Sequence, residues 1–141
     1  MRPEPTGIVL AIEPWNAPLM ETARASVPAI MLGNTVIMKP SPVTTGTTLL
    51  FDKLFADAGF PEGVYATALL SDEQSSTVIA DPRVRGVTLT GSTRAGSAVA
   101  AQAGRAIKPS VLELGGSDAF IVLDSADVGA AVATAVTCRL V

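Results

Sequence analysis

Short β-branched and aliphatic runs alternate with helix-length segments along the whole chain, and that alternation confines it to βα units packed around a mainly parallel sheet. Strands are predicted near residues 7 to 12, 35 to 38, 64 to 69, 86 to 90, 110 to 114 and 119 to 123. Helices fill the gaps. The first, near 20 to 32, sets Ala23, Val27, Ile30 and Met31 on one face and ends at Gly33-Asn34. The second, near 44 to 58, carries Leu50, Phe51, Leu54, Phe55 and Ala58 on one side and is closed by Gly59 and Pro61. Two more run from about 72 to 80 and from 93 to 106, the latter aligning Ala95, Val99 and Ala103. A last helix, near 126 to 140, takes Ser125 as its N-cap and Val128, Ala131, Val132, Ala135 and Val136 as its buried stripe. The expected architecture is a doubly wound α/β fold.

Composition narrows what such a fold can do. At 141 residues, one domain with its own core is the default. Hydrophobic residues make up 48% of the chain and charged residues 16%, which suits a sheet covered on both faces or a surface buried by other chain. A net charge of -3 with no basic cluster speaks against a nucleic-acid partner. The apolar runs Gly7 to Ile12 and Thr35 to Met38 are strand-length, far below the roughly twenty residues of a bilayer span. Cys138 is the one cysteine, so no internal disulfide forms, and a reducing compartment, the cytoplasm, is expected. Arg2-Pro3-Glu4-Pro5 places an acid and two prolines where a secretory leader would begin its apolar stretch, although these residues also read as mid-domain sequence. Neither repeats nor flexible linkers interrupt the alternation.

Four segments pair a strand end with residues that packing alone would not choose. In open α/β sheets, ligands bind beyond the carboxyl ends of the strands. Pro14-Trp15-Asn16-Ala17-Pro18 follows the first strand, and its prolines fix the backbone around an amide that can donate to a developing oxyanion; the plainer reading is a turn Asn beside a packed Trp. Lys39-Pro40-Ser41-Pro42 closes the second strand, where a Lys reaches ribose hydroxyls or a phosphate, or merely solvent. Thr88-Leu89-Thr90-Gly91-Ser92-Thr93 runs from strand to helix, a start suited to a diphosphate, with Ser92 equally at home as a simple N-cap. No GxGxxG supports that assignment. Leu112-Glu113-Leu114-Gly115-Gly116 sets an acid between two leucines, a placement expected to bury it for general-base work, ahead of glycines that admit a ligand or a turn.

In this order and spacing, with Gly59-Phe60-Pro61-Glu62-Gly63-Val64 between them, the four segments resemble the aldehyde dehydrogenase superfamily over nearly the whole chain. The resemblance implies a Rossmann-like NAD(P)-binding domain over residues 1–114 and the start of a catalytic domain over 115–141. It implies that Asn16 is the oxyanion-hole amide and Glu113 the general base that activates the deacylating water. By the same similarity Pro14, Trp15, Lys39, Ser41, Gly91, Ser92, Leu114 and Gly115 contact the cofactor, and Gly116 shares the turn between domains. Such enzymes oxidise an aldehyde through a Cys thiolate that attacks it, hydride transfer to the nicotinamide, and hydrolysis.

Three features refine that expectation. Members preferring NAD commonly carry a Glu three residues after the Lys; here Pro42 stands there and Ser41 can face a phosphate, so the lean is to NADP over NAD. The stretch Leu112 to Asp118, ending Gly116-Ser117-Asp118, is most similar to the succinate-semialdehyde dehydrogenase subgroup, in which an Arg aligned with Arg24 grips the substrate's distal carboxylate. A helix-surface Arg is the alternative. In the family the nucleophile follows the base by about 34 residues in a Gly-Gln-x-Cys setting. Cys138 follows Glu113 by 25 residues (138 minus 113), so it reads as a structural thiol, and the nucleophile is expected past Val141. The chain alone is then expected to be inactive, and the longer enzyme to be a homo-oligomer acting on a small aldehyde. A non-catalytic nucleotide-binding or subunit-association module is the alternative function, and reduction of an acyl phosphate or thioester is a further variant, against which Glu113 speaks.

Overall fold

A computed structural model describes residues 4–140; Arg2, Pro3 and Val141, used above, lie outside them. The elements are β1 (Ile8–Ile12), α1 (Pro18–Met31), β2 (Thr35–Lys39), α2 (Thr45–Asp57), β3 (Tyr65–Thr67), α3 (Asp72–Ala80), β4 (Val84–Gly91), α4 (Thr93–Arg105), β5 (Ser110–Leu114) and α5 (Val128–Leu140), with a 3-10 turn at Pro42–Thr44. The sheet order is β3-β2-β1-β4-β5, and every pairing is parallel. The chain winds outward from β1 to β3, then returns to lay β4 on the other side of β1. The β1/β4 junction is therefore the switch point at which a crevice opens.

Alternating side chains feed two cores. On one face Leu10, Val87 and Leu89 pack with Ile79 of α3 and with Val99 and Ala103 of α4. Ala11, Val36, Met38 and Tyr65 pack with Ile30 of α1 on the other, flanked by Phe51 and Phe55 of α2. β1 and β2 are thus apolar on both sides, as parallel strands covered by helices require. Tyr65 stacks on Phe55 with ring centres 4.9 Å apart.

Local chemistry explains most boundaries. Pro18 starts α1, and Gly33, at φ +85°, ends it while Asn34 N–H donates to Ala29 O. The Asn34 amide oxygen accepts from Thr6 and Gly7, tying that helix end to the start of β1. Ser71 and Gln74 form a reciprocal capping box on α3.

Several expectations are corrected. The buried face of α1 is Glu21, Thr22, Ser26 and Ile30, whereas Val27 and Met31 are exposed. Small side chains let this helix approach the sheet closely, and Ser26 returns its hydroxyl to Thr22 O at 2.6 Å, so polarity there is no barrier to burial. Leu50 and Leu54 of α2 are likewise half exposed, its sheet contact coming from Phe51 and Phe55. The strand predicted at 119–123 does not form: Phe120, Ile121, Val122 and Leu123 are exposed, and a strand without a hydrogen-bonding neighbour gains nothing from extending. Asp127 rather than Ser125 caps α5, its Oδ1 accepting from Ala130 N–H, and Val128, Val132 and Val136 lie exposed, with Ala131 and Ala135 only half-buried. Among the described residues nothing covers that stripe.

Candidate active site

Parallel strands bring their carboxyl ends to one edge, and register fixes which residues meet there. Ile12 of β1 aligns with Lys39 of β2 and Leu89 of β4, while Thr90 and Gly91 align with Glu113 and Leu114 of β5. The Pro14 to Asn16 loop leaves β1 directly above them. Pro14, Trp15, Asn16, Thr90, Gly91, Ser92, Glu113, Leu114 and Gly115 consequently line one hollow of about 320 Å³. Every site residue named from the sequence between Pro14 and Asn16, and from Gly91 onward, is in it.

Lys39 occupies a neighbouring hollow of about 300 Å³ between α3 and α4, walled by Ile12, Ile79, Leu89, Ala95, Ala98 and Val99. Its side chain is mostly buried, with Nζ 3.9 Å from Asp72 Oδ1 at the mouth. Ile12 and Leu89 belong to the aligned strand ends between the two hollows. Ser41 lies at the foot of the 3-10 turn beyond Lys39, half-buried, with Pro42 exposed.

The second hollow opens where α4 begins. Ser92 caps this helix, its Oγ accepting from Ala95 N–H at 3.2 Å; Ser92 lines the polar hollow and Ala95 the apolar one, so the helix start lies between them. Gly96 lets β5 approach: a Cβ there would sit 2.4 Å from Leu114 Cδ2. An apolar slot, a Lys at its mouth, a helix start and a polar hollow in series form a donor set that fits a dinucleotide.

One expectation for a side chain fails, and so does one alternative reading. Glu113 is not buried; its side chain is 51% exposed and its Oε1 lies 3.1 Å from Arg24 Nη2. As part of the sheet's edge strand it lacks a strand on its outer side among the described residues. Trp15 is exposed rather than packed. Cys138 lines a separate hollow with Gly116, Ser117, Phe120 and Arg139, away from Asn16 and Glu113.

Sequence reasoning missed two acids. Glu13, the residue before Pro14, is 4% exposed, and neither carboxylate oxygen has a hydrogen-bonding partner. Burial pushes its pKa up to about 8; the Thr90 hydroxyl beside it, outside good hydrogen-bond geometry, and Arg24 offset this only partly, while Glu21 adds to it. Glu21 is 6% exposed on α1, with Oε2 3.5 Å from Thr90 Oγ1 and 3.9 Å from Arg24 Nη1. The available signal was an acid ending a strand that is otherwise wholly apolar.

The family model of the aldehyde dehydrogenase family matches residues 1–141. The chain belongs to the aldehyde dehydrogenase family. This aldehyde dehydrogenase chain is 50% identical over 139 residues to a succinate-semialdehyde dehydrogenase [NADP(+)] of Mycobacterium leprae, covering 99% of the chain and 30% of that relative. Among solved structures, Gox0499, studied for its cofactor and substrate selection, superposes with a TM-score of 0.92 at 55% identity, over 96% of this chain and 30% of that one. The succinic semialdehyde dehydrogenase of Streptococcus pyogenes, bound to NADP+, gives a TM-score of 0.85 at 43% identity, over 88% and 27%. This aldehyde dehydrogenase chain thus spans about 30% of the length of the relatives it matches. None of its described helices is long and apolar enough to cross a membrane.

Proposed function

We propose that this chain supplies the cofactor site, the oxyanion-binding amide and the general base of an enzyme that oxidises an aldehyde to its carboxylic acid with NADP or NAD. The observation that carries the reading is the convergence of Asn16, Ser92 and Glu113 on one hollow at the sheet's carboxyl edge. Family membership supports it.

In this reading the apolar slot between α3 and α4 takes the adenine, Lys39 the adenosine ribose, and the start of α4 at Gly91 and Ser92 the diphosphate. Pro14, Trp15, Leu114 and Gly115 wall the nicotinamide end, and Ser41 stands where a 2′-phosphate would approach. The bound cofactor would supply a hydride acceptor. Asn16 donates its amide N–H to the aldehyde oxygen as that oxygen gains charge. Glu113 takes a proton from the water that releases the acid. Pro42, in place of a carboxylate, leaves room for a 2′-phosphate and supports NADP; the relatives named for NADP(+) support the same choice. Succinate semialdehyde is the narrower substrate reading, resting on what those relatives are named for. Division into a cofactor domain up to Leu114 and a catalytic segment from Gly115 is supported by the end of the sheet at β5 and by the exposed path that follows. Cytoplasmic residence rests on the unpaired Cys138, and homo-oligomeric assembly on the exposed apolar side of α5.

The test is NADP+- or NAD+-dependent oxidation of short aldehydes by the protein at its natural length. Glu113→Gln should lower the steady rate by about 100-fold or more while cofactor binding stays intact. Cofactor binding with no oxidation of any aldehyde would favour the non-catalytic module instead.

A further inference from the structure

The hollow between α3 and α4 holds more negative than positive charge at its mouth. Among the described residues that line it, Lys39 is the one cation, while Asp72 and Glu73 are both acids. Lys39 is mostly buried, and its Nζ lies 3.9 Å from Oδ1 of Asp72, whose side chain is 97% exposed. The ammonium is thus held by its surroundings, and the carboxylate beside it is open to whatever the ammonium binds. Glu73 is engaged elsewhere, its Oε2 accepting from Ser71 Oγ at 2.8 Å. The positive end of α3 is occupied as well: both acids lie in its first turn, and Ser71 Oγ accepts from Gln74 N–H at 3.2 Å.

We propose that Asp72 is a specificity-determining residue for the cofactor: from the start of α3 it supplies the ribose-reading carboxylate that Pro42 cannot, accepting from the adenosine ribose hydroxyls of NAD and opposing the 2′-phosphate of NADP. The inference rests on the reading of this hollow as the adenosine site. Dinucleotide-binding folds set an Asp or Glu on the ribose hydroxyls of NAD, where it accepts their hydrogen bonds and has no good partner in a phosphate. Such an acid need not follow the lysine closely in sequence. It needs to stand beside it in space, and Asp72 does so from a different element.

Distance decides how strongly it acts. An oxygen hydrogen-bonded to Lys39 Nζ lies within about 7 Å of Asp72 Oδ1. Physiological salt screens charges over roughly 8 Å, so a phosphate there still meets the carboxylate's field. A neutral hydroxyl meets no such repulsion and can donate to the carboxylate. Pro42 and Ser41 leave room for the 2′-phosphate on one side, and Asp72 opposes it from the other. The balance between the two cofactors then turns on this carboxylate.

Calorimetric titration of the natural-length protein with NAD+ and with NADP+, in the absence of aldehyde, tests the assignment on wild type, Asp72→Asn, Asp72→Ala and Glu73→Gln. All three substitutions fall at exposed positions and keep the reciprocal cap of Ser71 and Gln74. Removing the charge in Asp72→Asn is expected to tighten NADP+ about tenfold and to leave NAD+ within about threefold of wild type. Asp72→Ala is expected to tighten NADP+ equally and to weaken NAD+ severalfold, because it also removes the acceptor for the ribose. Glu73→Gln is expected to change NADP+ affinity by less than about threefold. An unchanged NADP+ affinity in Asp72→Asn would overturn the proposal, as would parallel changes for both dinucleotides. An equal gain in Glu73→Gln would overturn it too, by assigning the effect to the general field of the first turn of α3. If wild type bound neither dinucleotide, the reading of the hollow as a nucleotide site would fail, and the role of Asp72 with it.

Discussion

Burying Glu13 with no hydrogen-bonding partner makes folding take up a proton. Its folded pKa of about 8 lies above the 4.5 of a free Glu, so the folded state binds more protons between those values, and stability is full below the lower one and falls as pH rises through the upper. The slope approaches about 1.4 kcal/mol per pH unit in that window. Glu13→Gln should therefore stabilise the chain by roughly 2 kcal/mol or more at pH 8, have little effect near pH 5, and flatten the profile in urea titrations across that range. A wild-type profile that rises between pH 5 and 8 would contradict the account of this residue. Ser92 belongs to the same scale: Ser92→Ala removes the acceptor for Ala95 N–H and should cost about 1 kcal/mol, measured by the same titration.

Glycine contacts decide how α1 ends and how close α4 comes to β5. Gly33→Ala, at φ +85°, should cost about 1 kcal/mol in thermal or urea unfolding because the left-handed turn after α1 strains any Cβ. Gly96→Val should cost about 2 kcal/mol, since its side chain would overlap Leu114, one residue from Glu113, and should loosen cofactor binding as well. Elements whose signals are local were legible in the sequence. The α3 start was within reach because Ser71 and Gln74 satisfy each other's backbone, and α1 stops where Gly33 permits. Tertiary choices were not legible. Periodicity weighs bulk, so it favoured Val27 and Met31 over Ser26 and Thr22, although close helix-to-sheet packing selects small side chains. A β-rich stretch such as Phe120 to Leu123 becomes a strand only beside a partner, which its own composition cannot supply. The convergence of candidate residues was legible for the reason that the buried face of α1 was not: parallel order forces strand ends together, so residues at strand ends meet whatever their packing. Glu13 and Glu21 escaped because their meaning lies in burial, which spacing does not report.

At the scale of the whole molecule, the sheet divides labour between a well-packed centre and an open flank. Leu10 and Met38 are fully enclosed, while the segment from Phe120 through α5 leaves Ile121, Leu123, Val128 and Val132 bare. That much adjacent apolar surface should drive self-association of the isolated chain, and Ile121→Lys with Val132→Glu should reduce it in light scattering without weakening nucleotide binding. In the proposed reading, nucleotide binding rests instead on the two hollows along the carboxyl edge. Backbone amide chemical shifts of the chain titrated with NADP+ test that dependence most directly. The largest shifts are expected at Lys39, Asp72, Ala98, Ser92 and Gly115, in both hollows together. Shifts confined to the separate hollow around Phe60 and Tyr65, or no saturable shifts at all, would contradict it.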